Sequence, residues 1–189
     1  MQRPDIALYY TSDFFSPSQA DQLYNDLYSE IAWQQGHIFI YGKEHPIPRL
    51  QAWYSNAAID YRYSGKTRQH QPFTATLNTL REKLERHLHC QFNGVLCNLY
   101  RNGDDHMGWH SDDEASLGAN PLIASLSFGA ERDFVLREKN SGEKIKIPLA
   151  HGSLLVMSGP CQHHWQHALP KRGKIKQARI NLTFRLIHS

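Results

Sequence analysis

The sequence predicts a mainly β domain of sandwich or jelly-roll type with flanking helices, and three observations carry that reading. From residue 94 the chain is a succession of short apolar runs separated by turn residues: "GVLCNLY", "PLIASLSFG", "RDFVLRE", "KIKIPLAHGSLLVMSG" and "ARINLTFRLI". Before residue 94, two segments carry helical periodicity instead. At 189 residues, with 40% hydrophobic and 21% charged, the chain is long enough for one buried core and short for two, so a single domain over 1–189 is expected.

The first helix is read in "SPSQADQLYNDLYSEIAW". Ser16 is a natural N-cap, Pro17 suits the first helical position, and Ala20, Leu23, Leu27 and Ile31 recur near helical spacing. The next stretch, "HIFIYGKEHPIPRLQAWYSNAAIDYRYSG", is rich in aromatics and broken by Gly42, Pro46 and Pro48. It reads as short strands and turns rather than a long element, and is a candidate lid. The second helix is read in "TATLNTLREKLERHL", where Leu77, Leu80, Leu84 and Leu88 form one stripe against a charged face. Both helices are expected to pack on a sheet. No repeat of fixed period and no low-complexity tract interrupts the pattern.

Composition narrows the function classes. No stretch approaches the roughly 20 apolar residues of a spanning helix, and "MQRPDIALYY" lacks the apolar core and cleavage site of a leader. A cytoplasmic location, nuclear in a eukaryotic cell, with no membrane partner is therefore expected. Cys90, Cys97 and Cys161 are odd in number and lack C-x-x-C spacing, so they read as reduced packing residues. The net charge of +3 is small, but "KRGKIKQAR", 171 to 179, holds five cations and no acid. A phosphate contact and a solubilising loop both fit that segment.

The last strand is the most informative element for chemistry. Ile180, Leu182, Phe184 and Leu186 form one face, while Arg179, Asn181, Thr183 and Arg185 form the other. The two arginines sit about 20 Å apart along the strand, and side chains reaching roughly 6 to 7 Å inward would leave a gap suited to a small dicarboxylate. An outward face with solvated arginines is the alternative. "VLCNLY" repeats the design, with Asn98 and Tyr100 opposite Val95, Cys97 and Leu99. In "WHSDDEASLG", His110 and Asp112 stand at i and i+2, a spacing that lets a strand aim an imidazole and a carboxylate at one ion. A third ligand has candidates in "GPCQHHWQHALP": His163, His164 and His167. Pro160 and Pro170 argue against a helix there, and periodicity alone leaves His163 and His167 both open. Two imidazoles and one carboxylate with vacant positions are the ligand set of non-haem Fe(II) oxygenases, whereas structural zinc favours closed, cysteine-rich sites.

With those motifs in place the chain resembles the AlkB family of Fe(II)/2-oxoglutarate-dependent dioxygenases, in its branch that repairs alkylated nucleic acid. The resemblance runs from about residue 38 and is strongest in "NLYRNGDDHMGWHSDDEASLG", "PLIASLSFGAERDFVLR", "PLAHGSLLVMSG", "HHWQHALP" and "RINLTFR". It implies a double-stranded β-helix core over 94–189, and over 1–93 a helical region with a nucleotide-recognition lid. By position it implies iron ligands His110, Asp112 and His167, and 2-oxoglutarate contacts Asn98, Tyr100, Arg179, Thr183 and Arg185, without saying which arginine takes which carboxylate. Tyr61 and Tyr63 resemble the family's base-holding segment, Asp113 and Glu114 its base contacts, and Tyr41 occupies the place of an intruding side chain. Arg49, Arg62, Lys66 and Arg68 are further candidate phosphate contacts.

The implied cofactors are Fe(II), 2-oxoglutarate and O2. The implied reaction is oxidative demethylation of 1-methyladenine and 3-methylcytosine in DNA, with RNA a second candidate, giving formaldehyde, succinate and CO2. The target base must leave its stack to react. The rival reading keeps the cofactors but hydroxylates a protein, lipid or small molecule. A monomer is the expected form.

Overall fold

The structure is a computed structural model. It describes residues 2–40, 42–56, 61–63, 66–68 and 71–188; residues 2, 3, 40, 61–63 and 66–68 are described by backbone alone. In chain order the elements are β1 (Gln2–Arg3), β2 (Ile6–Thr11), α1 (Pro17–Glu30), β3 (Gln34–Ile40), β4 (Lys43–Ser55), β5 (Tyr61–Tyr63), β6 (Lys66–Arg68), α2 (Ala75–Leu88), β7 (Gly94–Tyr100) and β8 (Met107–His110). A single 3-10 turn (Ala115–Leu117) leads to β9 (Ile123–Gly129), β10 (Arg132–Glu138), β11 (Lys144–Leu149), β12 (Ser153–Ser158), α3 (Cys161–His164), β13 (Trp165–Leu169) and β14 (Arg179–Arg185). Among the described residues the strands form a large sheet in the order β1-β2-β12-β9-β14-β7-β4-β3, a smaller one in the order β11-β10-β13-β8, and the β5-β6 pair. The ladders of the two main sheets are antiparallel.

Alternation along the strands decides what each face of the large sheet does. On β7, β9 and β14 the apolar set Val95, Cys97, Leu99, Ala124, Leu126, Phe128, Ile180, Leu182 and Phe184 shares one core cluster with Leu27 of α1 and Leu77, Leu80 and Leu84 of α2. The opposite face therefore looks toward the small sheet. At one end that inner layer is apolar, with Ile6, Leu8, Ile123, Leu155 and Met157 against Leu136, Leu149 and Trp165. At the other end it is polar, and the site lies there.

Both helices form where the sequence predicts them. Ser16 and Gln19 make a reciprocal capping box with Pro17 following, and the Thr74 hydroxyl accepts from the Leu77 N–H to open α2. α2 ends at His89, whose left-handed φ of 52° stops the helix. A mainly β architecture with helices on one face is thus what forms.

Two local expectations are corrected. Residues 43–55 form one strand of 13 residues, not short pieces, despite Pro46 and Pro48. The prolines are tolerated because that half of β4 pairs only with β3, while Leu50–Ser55 carries the ladder to β7. The large sheet also takes in β2, which the sequence reading passed over although Ile6 and Leu8 alternate into the core. Strands from both sides of residue 94 thus share this sheet. No helix among the described residues is long and apolar enough to cross a membrane.

Candidate active site

β8 and β13 pair so that His110 stands opposite His167, and Asp112 follows two residues after His110 as the strand ends. One ligand atom from each of the three lies within 4.8 Å of the others. His163 and His164 belong instead to the single turn α3, which corrects the expectation that the flanking prolines exclude a helix there; His163 meets the Ala119 carbonyl. The turn breaks the alternation, so His167 alone of the three enters the site.

The donor set fits a divalent cation. Nδ1 of His110 lies 2.9 Å from the Gly108 carbonyl, which can only accept, so Nδ1 donates there and Nε2 is the nitrogen turned toward the cluster. Nε2 faces Oδ1 of Asp112 at 3.6 Å. Oδ1 of Asp112 and Nδ1 of His167 are both buried with no hydrogen-bond partner. A buried carboxylate oxygen without a hydrogen-bond partner, in a cluster of three ligand-bearing side chains within 4.8 Å, fits a cation.

The surroundings keep the ligands in binding form. Burial disfavours charge on Asp112, but the Arg185 guanidinium, which also donates a hydrogen bond to it, outweighs burial and holds the carboxyl well below the usual carboxylate range. Arg185 Nη2 donates to Oδ2 at 2.8 Å, and the Asp112 backbone N–H donates to Gln162 Oε1 at 2.8 Å, so the side chain and the main chain of Asp112 are each held. Burial, with the Arg185 cation adding, drives the His167 imidazole down to about 3, so it stays neutral and able to ligate.

The polar inner face of β7, β9 and β14 forms the adjoining wall. Cross-strand register sets Arg179 against Tyr100, Asn181 against Asn98 and Ser127, and Thr183 against Ser125. Asn98, Tyr100, Arg179, Thr183 and Arg185 therefore line one cavity with His110, Asp112 and His167. This settles the orientation of the two arginines: they are 2% and 3% exposed, not solvated. Arg179 donates to the Ser127 hydroxyl at 2.9 Å and lies over the Tyr100 ring, while its Nε is buried without a hydrogen-bond partner. Burial lowers its pKa to about 10, so it remains a cation at neutral pH with only neutral groups in those contacts. An anion would complete it. Arg185, by contrast, is already joined to Asp112.

Other expectations fare differently. Arg49 is buried, donating to Asn98 Oδ1 at 2.9 Å and to the His106 carbonyl at 3.1 Å, so it is not a surface phosphate contact. Arg172 is engaged with Asp133, and the loop around it is joined to residues 102–105 by Gly103 N–H to Ile175 O and Arg172 N–H to Gly103 O bonds. Lys171, Lys174 and Lys176 remain exposed. Asp113 is exposed and Glu114 half-buried at the turn after Asp112. Tyr41 and the side chains of Tyr61, Arg62, Tyr63, Lys66 and Arg68 lie outside the described residues. The sequence reading missed Gln51, Ser127 and Gln162. Gln51 and Ser127 carried a signal, since each is a polar residue alternating with apolar ones in a strand.

A family model for the 2OG-Fe(II) oxygenase superfamily matches residues 7–185. The human protein named DNA oxidative demethylase ALKBH2 is 41% identical over 184 residues, covering 92% of this chain and 70% of that protein. The mouse alpha-ketoglutarate-dependent dioxygenase alkB homolog 3 is 42% identical over 185 residues, covering 93% and 64%. An Arabidopsis thaliana protein named DNA oxidative demethylase ALKBH2 is 32% identical over 210 residues, covering 95% and 66%. The chain thus spans about two thirds of the length of these relatives. The solved structure titled "The structure of OsALKBH1" superposes with a TM-score of 0.61 at 18% identity, covering 98% of this chain and 99% of that one, which bears on the fold alone. A cation-ready His-Asp-His cluster beside an anion-ready arginine wall is thus carried by a sequence matched almost end to end, and the chain belongs to the AlkB family within the 2OG-Fe(II) oxygenase superfamily.

Proposed function

We propose that the protein oxidatively demethylates N-alkylated bases, 1-methyladenine and 3-methylcytosine, in DNA, with RNA as a second substrate, consuming 2-oxoglutarate and O2 and releasing formaldehyde, succinate and CO2. The observation that carries this is the joining of two half-finished sites in one cavity: ligand atoms facing each other at 3.6 Å and a buried arginine contacting only neutral groups. Relatives named as DNA demethylases supply the substrate class.

In this reading His110, Asp112 and His167 hold ferrous ion, and Asn98, Tyr100, Arg179, Thr183 and Arg185 seat 2-oxoglutarate. When bound, the ion and its cosubstrate supply oxidising equivalents from O2. The chain's part is to hold and exclude. Arg185 keeps Asp112 anionic, His167 stays neutral, and Phe134, Leu149 and Met157 close the cavity with apolar surface. Tyr41, Tyr61 and Tyr63 hold the extruded base by stacking, and Asp113 and Glu114 approach its polar edge. Exposed Lys171 and Lys174 take phosphates. The protein works as a monomer in the cytoplasm, or in the nucleus of a eukaryotic cell.

A panel of singly methylated DNA and RNA oligonucleotides, each as single strand and duplex, tests this with Fe(II) and 2-oxoglutarate. Formaldehyde matching succinate in at least one DNA arm is expected. Succinate without formaldehyde in every arm would transfer the protein to the rival class that hydroxylates other substrates.

A further inference from the structure

Asn98 lies at the centre of a buried relay. Its cross-strand partner on β4 is Gln51, and Arg49 lies two residues earlier on the same inward face. Both donate to one atom: Arg49 Nε at 2.9 Å and Gln51 Nε2 at 2.8 Å reach Asn98 Oδ1. A carbonyl oxygen has two lone pairs, so this pair of donors uses both and fixes which way the amide points. Asn98 Nδ2 must then face the other side, where one N–H meets Asn181 Oδ1 at 3.5 Å. The second N–H is left for the cavity that Asn98 lines. Asn181 is fixed in turn, donating to Ser125 Oγ at 2.8 Å and accepting from Thr183 at 3.0 Å. Without Arg49 and Gln51, the amide is free to turn its oxygen toward an incoming carboxylate, which would repel it.

We propose that Arg49 and Gln51 are positioning residues for the 2-oxoglutarate seat: they lock the Asn98 amide as a donor into the cavity, and through β4 they tie the seat to the β3-β4 hairpin. This rests on the reading that the cavity holds 2-oxoglutarate. Neither residue touches the cosubstrate; each acts through Asn98.

The test is a double-mutant cycle on 2-oxoglutarate affinity, measured by calorimetry on full-length protein loaded with Mn(II) so that no turnover occurs. Gln51→Met removes the donor to Asn98 Oδ1 at similar size without adding a charge and should weaken 2-oxoglutarate binding on the order of ten-fold, leaving Mn(II) affinity unchanged. In an Asn98→Ala background the same substitution should weaken it no further, because there is no amide left to turn. Equal weakening in both backgrounds, or none in either, would overturn the proposal, since a merely structural effect adds. Gln51→Leu, which also removes the donor without adding charge, repeats the cycle if the methionine variant does not fold. Wild-type protein that fails to bind 2-oxoglutarate would instead remove the cosubstrate reading beneath it.

Discussion

In the proposed reading Asp112 answers to a cation and to Arg185 at once, and removing it should expose both debts. Asp112→Ala is expected to abolish divalent-ion binding and also to lower stability by about 3–5 kcal/mol, because the buried Arg185 guanidinium loses its carboxylate. Urea unfolding checks this, and a loss below about 1 kcal/mol would mean that the pair is not buried as described. The H-x-D spacing made His110 and Asp112 legible in the sequence. His167 was not separable from His163 by alternation, because α3 interposes a helical turn before β13. Arg49 was misread for a different reason: a lone arginine defaults to the surface, and only its place between Ile47 and Gln51 on one strand face revealed it as buried.

Among the elements, β14 was readable because its two faces differ in kind, apolar against the helices and polar against the site. β4 was not, since prolines that stop a central strand are harmless where only one neighbour pairs. The basic loop shows the same limit: composition gave its charge but not its anchoring. A Cβ at Gly103 would lie 1.8 Å from the Arg172 carbonyl, so Gly103→Ala should part the two loops. Trypsin should then cut after Lys171 or Lys174 much faster than in the wild type; equal rates would deny that the bonds to Gly103 hold the loop. Asp133 secures the other side. Burial opposes its charge, but hydrogen bonds from Arg172 and Lys146 prevail and lower its pKa. A lowered folded-state pKa means stability present above the unfolded value of about 3.9 and lost as pH falls through the folded one. Asp133→Asn should therefore cost up to about 1 kcal/mol at neutral pH, modest because Arg172 and Lys146 are solvated, and the gap should close in acid. A gap independent of pH would contradict the ion-pair assignment.

For the molecule as a whole, one large sheet is asked to do two things: its outer face is covered by α1 and α2 as a core, and its inner face turns polar at one end, opposite the small sheet. That division buries Asp112 and His167 together with Arg179 and Arg185. In the proposed reading it also makes the ion and the diacid neighbours, so each should report on the other. The most direct measurement is visible absorption of anaerobic Fe(II)-loaded protein as 2-oxoglutarate is added. A charge-transfer band should rise to saturation in the wild type and be absent from His167→Ala. A wild type with no band, or the variant retaining one, would show that the ferrous ion and the oxoacid do not meet where these side chains place them.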